Sequence, residues 1–155
     1  FRLAEVYEPF IASVLKNPSY ISLEKALEFH GLIPEAVPTV TSVTTKHPAR
    51  FDTPIGHFVY RHLKRELFWG YDPLRKDRQM GYMAKPEKAL LDLIYLNSIH
   101  VTPDYLAELR LQNTDKLNPK TLVEFAARFG KNTIIKAGME INRYVKFQKR
   151  GEKKI

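Results

Sequence analysis

The sequence contains no cysteine, which excludes a disulfide and a zinc site built on thiolates. Its apolar residues form no run that approaches the roughly 20 residues of a bilayer-spanning helix. It also lacks a glycine-rich phosphate loop and the G-x-S-x-G motif that places a serine nucleophile on a tight elbow. These absences nearly exclude a serine hydrolase and favour a soluble protein of the reducing cytoplasm, without a membrane partner.

Positive charge is in excess along the chain. Of 155 residues, 25 are Lys or Arg and 17 are Asp or Glu, and the formal net charge is +8. Such a balance favours an anionic partner, either nucleic acid or an acidic protein surface. A solvated basic surface without a specific partner is the alternative. The 44% of hydrophobic residues is enough to bury a core, and the length fits a single domain over residues 1–155.

The first part of the chain is predicted to be helical. Pro9 favours the start of one helix, which would pack through Ile11, Val14 and Leu15. A second, short helix is expected between an N-cap at Ser22 and a C-cap at Gly31. Its inward face would carry Leu23, Ala26 and Leu27, and Tyr20, just before the cap, is a candidate anchor.

The middle of the chain has the pattern of a sheet. Five strands are predicted, in "TVTSVTT", "ARFDT", "HFVYRHL", "ELFWGY" and "RQMGYMA". The segment Thr53-Pro54-Ile55-Gly56 fits a type I turn, so the second and third of these strands should form a hairpin. The gaps between strands leave no room for crossover helices, so the sheet should be mainly antiparallel.

The rest of the chain is predicted to be helical. "KPEKALLDLIYLN" should be the central core helix, with Leu90 and Leu93 buried. Two shorter helices should follow, with Thr102 and Asn118 as N-caps and Gly130 closing the second. A last amphipathic helix would lead into a basic, mobile tail over residues 149–155. The predicted fold is therefore α+β: a mainly antiparallel sheet of about five strands flanked by N-terminal helices and a C-terminal helical half.

A search for catalytic or metal-binding residues finds no convincing set. Five histidines are present, but none has a recognised zinc spacing, and a structural or surface role is expected for each. The only E-x-K spacing of the nuclease type is Glu152 to Lys154 in the tail, where carboxylates would not be preorganised around magnesium. Asp92 lies within the apolar core helix, where it is expected to face solvent or cap a neighbouring backbone. No catalytic residue, metal site or cofactor is predicted.

Basic and aromatic residues alternate through the sheet region. The candidate partner-binding residues cluster around the end of one predicted strand: Arg61, Lys64, Arg65, Phe68 and Trp69. Such a surface suits phosphates or an acidic protein. The alternative is that the aromatic rings form the core while the charges coat the outside, because alternate residues of a strand face opposite sides.

Three segments resemble, in content and order, the antitoxin domain of AbiEi-type regulators of type IV toxin-antitoxin and phage-defence operons. They are "PSYISLEKALEFHGLIPE", "TSVTTKHPARFDTPIGHFVYRHLKRELFWGY" and "KPEKALLDLIYL", within a match over roughly residues 1 to 97. Lys85 stands where this family usually has a threonine or serine cap. The resemblance implies a non-enzymatic antitoxin domain that counteracts an operon-encoded nucleotidyltransferase-like toxin, and it assigns no catalytic residue.

Family members typically carry an N-terminal winged helix that binds operator DNA and represses the operon. The chain begins at Phe1, and "FRLAEV" over residues 1–6 is similar to the exit from such a domain. The resemblance thus implies operator binding through a winged helix that is missing here. Two other functions stay open: a nucleic-acid-binding module that uses its own basic surface, and a metal-dependent nuclease.

Overall fold

The computed structural model describes residues 7–153. The predicted winged-helix exit over residues 1–6 lies outside the described residues, as do the last two residues of the predicted tail. The elements follow the chain as α1 (Glu8–Leu15), β1 (Ser19–Ile21), α2 (Leu23–Phe29), β2 (Val40–Thr44), β3 (Ala49–Thr53), β4 (Gly56–His62), β5 (Tyr71–Lys76), β6 (Gln79–Ala84), α3 (Pro86–Leu96), α4 (Pro103–Glu108), α5 (Pro119–Phe129) and α6 (Asn132–Lys153). Short 3-10 turns cover Arg65–Leu67 and Thr114–Lys116.

The strands form one mixed sheet, and the predicted α+β class with its helical flanks is confirmed. The sheet has six strands in the order β3-β4-β2-β1-β6-β5. β1 pairs with β6 and β2 with β4 in parallel, whereas the other three neighbouring pairs are antiparallel. The parallel β2–β4 pair needs no crossover helix, because β3 supplies the return path and then lies on the outer side of β4. The predicted count of five strands, mainly antiparallel, is corrected accordingly.

One strand was not predicted and another is misplaced. The unpredicted strand is β1, which spans only three residues directly before the predicted N-cap Ser22. The predicted strand "ELFWGY" is also misplaced, since its first residues form the 3-10 turn and the strand begins at Tyr71. The predicted β3–β4 hairpin is confirmed, with Thr53 opposite Gly56 at its turn.

α1 covers one face of the sheet. The Tyr60 hydroxyl of β4 donates to the carbonyl of Ala12, and the Ser13 hydroxyl donates to the carbonyl of Met80 in β6 at 3.2 Å. Pro9 and Ala12 are the buried residues of this helix. Val14 is 62% exposed, so its predicted place on the packed face is wrong. The helix starts near Pro9 as predicted, and the half-buried Ile11 and Leu15 pack against the core as predicted.

α2 and α3 pack together on the opposite face. Leu23, Ala26 and Leu27 are buried as predicted. Ser22 occupies the N-cap position but makes no side-chain cap hydrogen bond. Gly31 has φ +74° and follows the last turn, where its amide donates to Glu28 and the next amide donates to the Leu27 carbonyl. This pair of bonds is the Schellman arrangement, which favours glycine because of the left-handed backbone.

The C-terminal helices pack around α3. Leu90 and Leu93 of α3 are buried, which confirms this helix as the core element. The predicted caps are also confirmed: Thr102 accepts from the Tyr105 amide, Asn118 accepts from the Thr121 amide, and Gly130 ends α5 with φ +69°. α6 continues through Lys153, so residues 149–153 of the predicted tail are helical, and its mobility stays a prediction.

Gly81 allows α1 to approach β6. A Cβ at this position would overlap the backbone carbonyl of Pro9 and meet the Pro9 side chain. We expect Gly81→Ala to lower the free energy of unfolding by about 1–3 kcal/mol, because the helix must move off the strand. Denaturant unfolding measures the change. Gly151→Ala is the matched control, since its added methyl has no neighbour within 4 Å, and equal effects of the two substitutions would contradict the close packing of α1.

Candidate functional site

A buried ion pair lies where α2, α3 and β1 meet. Lys88 and Asp92 are one turn apart on α3, and both side chains are fully buried. Lys88 Nζ donates to Asp92 Oδ1 at 2.8 Å, to Tyr20 Oη at 2.7 Å and to the Leu67 carbonyl at 2.7 Å. Asp92 Oδ2 accepts from the hydroxyls of Tyr20 and Ser22, each at 2.8 Å. Every donor of the ammonium group is thereby used.

Aromatic rings complete the surroundings of the ammonium group. Lys88 Nζ lies 4.6 Å from the ring centre of Trp69 and 5.3 Å from those of Tyr20 and Phe129. Ring faces carry partial negative charge, so these contacts favour the cation. The methylenes of Lys88 also fill the space beside Gly70. The lysine thus links β1, the segment between β4 and β5, and the end of α5.

Burial shifts the ionisation of the whole network. Burial raises the pKa of the Asp92 carboxyl, although the Lys88 charge and three hydrogen bonds act in the opposite direction. Burial also lowers the pKa of the Lys88 ammonium, although the Asp92 charge and hydrogen bond act in the opposite direction. The pKa of Tyr20 lies well above its ordinary value because of burial and the nearby Asp92 charge. Desolvation is therefore the main cost of this network, and complete hydrogen bonding offsets it.

The network corrects the prediction for Asp92. This residue neither faces solvent nor caps a backbone; it is an ion-pair partner in the core. Its surroundings leave no opening for a substrate, because Lys88 and Asp92 both have 0% exposed side chains. The arrangement can orient four chain segments relative to one another. It does not place a reactive group at the surface.

The structure separates the five candidate partner-binding residues. Lys64 and Arg65 are exposed. Arg61 is half-buried and donates to Asn97 Oδ1 at 2.9 Å and to the Leu96 carbonyl at 3.0 Å, so it holds the end of α3. Phe68 and Trp69 point into the protein. Of this set, only Lys64 and Arg65 are therefore available together at the surface.

The two aromatic residues of that set pack in the interior. Phe68 contacts the rings of Tyr20 and Tyr71, with ring centres 5.0 and 5.2 Å apart. Trp69 is 8% exposed and lies against Phe125 and Phe129 of α5. The guanidinium of the exposed Arg128 lies 4.2 Å from the centre of the Trp69 ring. The alternative interpretation, with aromatic rings in the core and charges outside, describes both residues.

Three of the five histidines make hydrogen bonds to different parts of the chain. His57 Nδ1 is 2.7 Å from Asp52 Oδ1 on the β3–β4 hairpin, whereas His62 and His30 each contact a backbone carbonyl. The Asp52 pKa is lowered, mainly by the hydrogen bond from His57. Within residues 7–153, no group of three or more His, Asp or Glu side chains is arranged to hold a metal ion. In the same range no helix is long and apolar enough to cross a membrane.

A groove that sequence reasoning missed runs between α6 and the α3–α4 connection. Its volume is about 650 Å³. The floor includes the buried side chains of Ile94, Val101, Ile134 and Ala137. Lys131, Lys136 and Arg143 lie along the lining from α6 and the residue before it. The sequence carried a partial signal, because lysines flank the apolar face of the last amphipathic helix.

Comparison of the chain with protein-family models, with curated proteins and with solved structures gave no match. The resemblance of the three segments to AbiEi-type antitoxins therefore stays a prediction.

Sequence reasoning also missed the Lys88–Asp92 pair. The available signal was their i, i+4 spacing within a helix that is otherwise apolar, since oppositely charged side chains at this spacing face each other. Their partners Tyr20 and Ser22 lie about 70 residues away in the chain. No local pattern connects residues at that separation.

The buried pair should behave as a unit. We expect Lys88→Met and Asp92→Asn each to lower the free energy of unfolding by about 3–5 kcal/mol, because each leaves a charge buried without its partner. The double variant should lose clearly less than the sum of the two losses. Urea unfolding of all four proteins measures the coupling.

The Lys85–Asp72 pair is the matched control. Its atoms are 3.0 Å apart, but its side chains are 41% and 55% exposed. Removing either partner should change the free energy of unfolding by about 1 kcal/mol or less. Additive losses at the buried pair, or equal losses at the two pairs, would contradict its role as a unit.

Proposed function

We propose that this chain is a non-enzymatic antitoxin domain of a transcriptional regulator, which counteracts a nucleotidyltransferase-like toxin in the cytoplasm. One observation carries the proposal: the three segments that resemble AbiEi-type antitoxins contribute the residues of one buried network. Tyr20 and Ser22 come from the first segment, Leu67 from the second, and Lys88 with Asp92 from the third.

This convergence supports the proposal because it gives the shared residues a common physical role. If the parts of a motif spread over about 75 residues lay on separate surfaces, the structure would give no reason for them to occur together. Here the lysine of "PEKALLD" reaches back to Tyr20, which precedes the first helix of the resemblance. The motif then specifies one domain core, as expected of a family defined by its fold and without catalytic residues.

On this proposal, the domain neutralises the toxin through a contact surface. Lys64 is the N-cap residue of the 3-10 turn Arg65–Leu67; Lys64 and Arg65 are exposed, whereas Leu67 is buried. The Leu67 carbonyl accepts from Lys88, so the turn is fixed to the core. A basic surface on a fixed turn suits an acidic patch of a partner protein. Repression of the operon would in addition require a winged helix that binds operator DNA.

The second candidate is a nucleic-acid-binding module. The observation that favours it is the β5–β6 hairpin, whose tip carries the exposed cations Arg75, Lys76 and Arg78 with one acid, Asp77. A projecting basic hairpin can contact phosphates without reading bases. It offers no helix for major-groove readout, so the binding on this alternative is independent of sequence.

Growth rescue tests the antitoxin proposal. Residues 1–155 are expressed together with the nucleotidyltransferase-like protein encoded in the same operon, and colony counts are measured with the toxin induced. We expect the unmodified chain to restore growth and Lys64→Glu/Arg65→Glu to lose most of the rescue, because an attractive contact becomes repulsive.

The control reverses two exposed lysines elsewhere, Lys120→Glu/Lys149→Glu, with the same change of net charge. Thermal unfolding confirms that both variants fold. An unmodified chain that leaves the toxin fully active would overturn the antitoxin proposal. Equal loss in both double variants would reject the 3-10 turn as the contact surface.

Salt dependence distinguishes the two candidates. A phosphate-driven complex with duplex DNA should lose roughly 10³-fold or more in affinity between 50 and 200 mM salt if six or more phosphates are contacted. On the antitoxin proposal we expect only this weak, salt-sensitive binding and no preference for operator DNA. Fluorescence anisotropy with operator and scrambled duplexes measures both properties. Tight, sequence-specific binding that persists at physiological salt would favour a DNA-binding module.

A further inference from the structure

The groove between α6 and the α3–α4 connection combines an apolar floor with a basic rim. Floor residues Ile94, Val101 and Ile134 are at most 7% exposed, so they form a continuous part of the core. Met139 lines the same groove and is 54% exposed. A large apolar side chain at the surface, beside an apolar depression, is typical of a binding groove.

Two of the three rim cations have no ion-pair partner within the described part of the chain. Lys131 and Lys136 are exposed, and neither forms an ion pair with a described carboxylate. Lys131 Nζ lies 5.5 Å from the centre of the Tyr95 ring, which holds it beside the groove. Arg143 pairs with Glu140 at 2.6 Å, and this glutamate is the one acid among the lining residues. The groove therefore carries a net positive charge.

The spacing of the cations limits the shape of the occupant. Lys131, Lys136 and Arg143 extend over twelve residue steps, which correspond to about 18 Å along a helix with a rise of about 1.5 Å per residue. A compact ligand with one acidic group would reach only one of these cations. An elongated ligand with several carboxylates would reach all three.

The chemistry of the floor excludes a second class of occupant. Single-stranded nucleic acid binds by stacking its bases on exposed aromatic rings. The floor is aliphatic; of the two rings in the lining, Tyr95 is already covered by Lys131, and His100 is the other. Aliphatic side chains instead suit the leucine, isoleucine or methionine residues of an amphipathic peptide.

We propose that this groove is a docking site for an acidic amphipathic peptide segment of a partner protein. The apolar residues of the peptide lie on the floor, and its carboxylates lie near Lys131 and Lys136. The surface is separate from the 3-10 turn with Lys64 and Arg65 and does not depend on the antitoxin proposal. Charge complementarity and the length of the basic rim carry the inference.

A designed peptide serves as the probe. It has about twelve residues, enough for about 18 Å as a helix, and pairs of glutamate alternate with pairs of leucine. Binding to the whole chain is measured by fluorescence anisotropy, and the amide resonances of Val101 and Ala137 are followed by NMR. We expect saturable binding, shifts of these resonances, and at least a tenfold loss of affinity in Lys131→Glu/Lys136→Glu.

Lys146→Glu/Lys149→Glu is the matched control, since it makes the same charge change at exposed positions of the same helix outside the groove. Its affinity for the peptide should change less than threefold. Met139→Ser tests the apolar contribution without altering charge, and it should weaken binding while thermal unfolding stays unchanged. Affinity that does not depend on Met139 would overturn the apolar part of the site.

Further probes decide the class of ligand. A twin peptide with lysine in place of glutamate should not bind. A single-stranded oligonucleotide of the same charge that shifts the groove resonances as strongly would overturn the proposal in favour of nucleic acid. Octanoate that displaces the peptide at lower concentrations would identify a small-molecule site instead. The docking site would also be rejected if the peptide showed no saturable binding up to about 1 mM, which corresponds to a binding free energy of about 4 kcal/mol.

Discussion

The desolvated ion pair between Lys88 and Asp92 is the interaction on which the arrangement of the other elements depends. Removing two charges from water is costly, and a single hydrogen bond between them would not offset the cost. The pair is retained with a full set of partners: two hydroxyls, a backbone carbonyl and three aromatic rings. These partners come from three separate parts of the chain, at residues 20–22, 67–69 and 129, so the charges are satisfied only when these parts have assembled around α3.

This requirement gives the network a specifying role beyond its net contribution to stability. An apolar core of similar volume tolerates alternative packings, whereas a buried charge tolerates only the arrangement that completes its hydrogen bonds. The 3-10 turn with Leu67 illustrates the effect. Its carbonyl accepts from Lys88, and that bond fixes the exposed Lys64 and Arg65 relative to α3. Core electrostatics thus determine how a surface is presented.

Local chemistry predicted the parts of the fold that local chemistry controls. The β3–β4 hairpin follows from its turn residues, the N-caps at Thr102 and Asn118 from their side-chain oxygens, and the core helix from its apolar face. The parallel or antiparallel direction of the strands was harder to predict. Alternation shows which face of the sheet a residue occupies, but it does not show which strand lies beside it. β1 could not be predicted, because three residues are too few to show the two-residue alternation of a strand.

The candidate sites, too, could be predicted only where neighbouring residues in the sequence determine them. The i, i+4 spacing of Lys88 and Asp92 is visible in the sequence, but their distant partners are not. The aromatic residues Phe68 and Trp69 were grouped with nearby cations, although the chain reverses its exposure within this stretch: Lys64 and Arg65 are outside and Trp69 is inside. The groove beside α6 depends on the packing of α6 against the α3–α4 connection, so only its charge could be foreseen.

The short strand β1 has a consequence for the order in which the domain opens. Among residues 7–153 it is the sole link in the sheet between the β3-β4-β2 group and the β6-β5 hairpin, and its contact with β6 has a single register pair, Ile21 with Met83. α1 spans that boundary through its bonds to Tyr60 of β4 and Met80 of β6. The sheet is therefore held at this boundary largely by α1, and we expect it to open there first when α1 detaches.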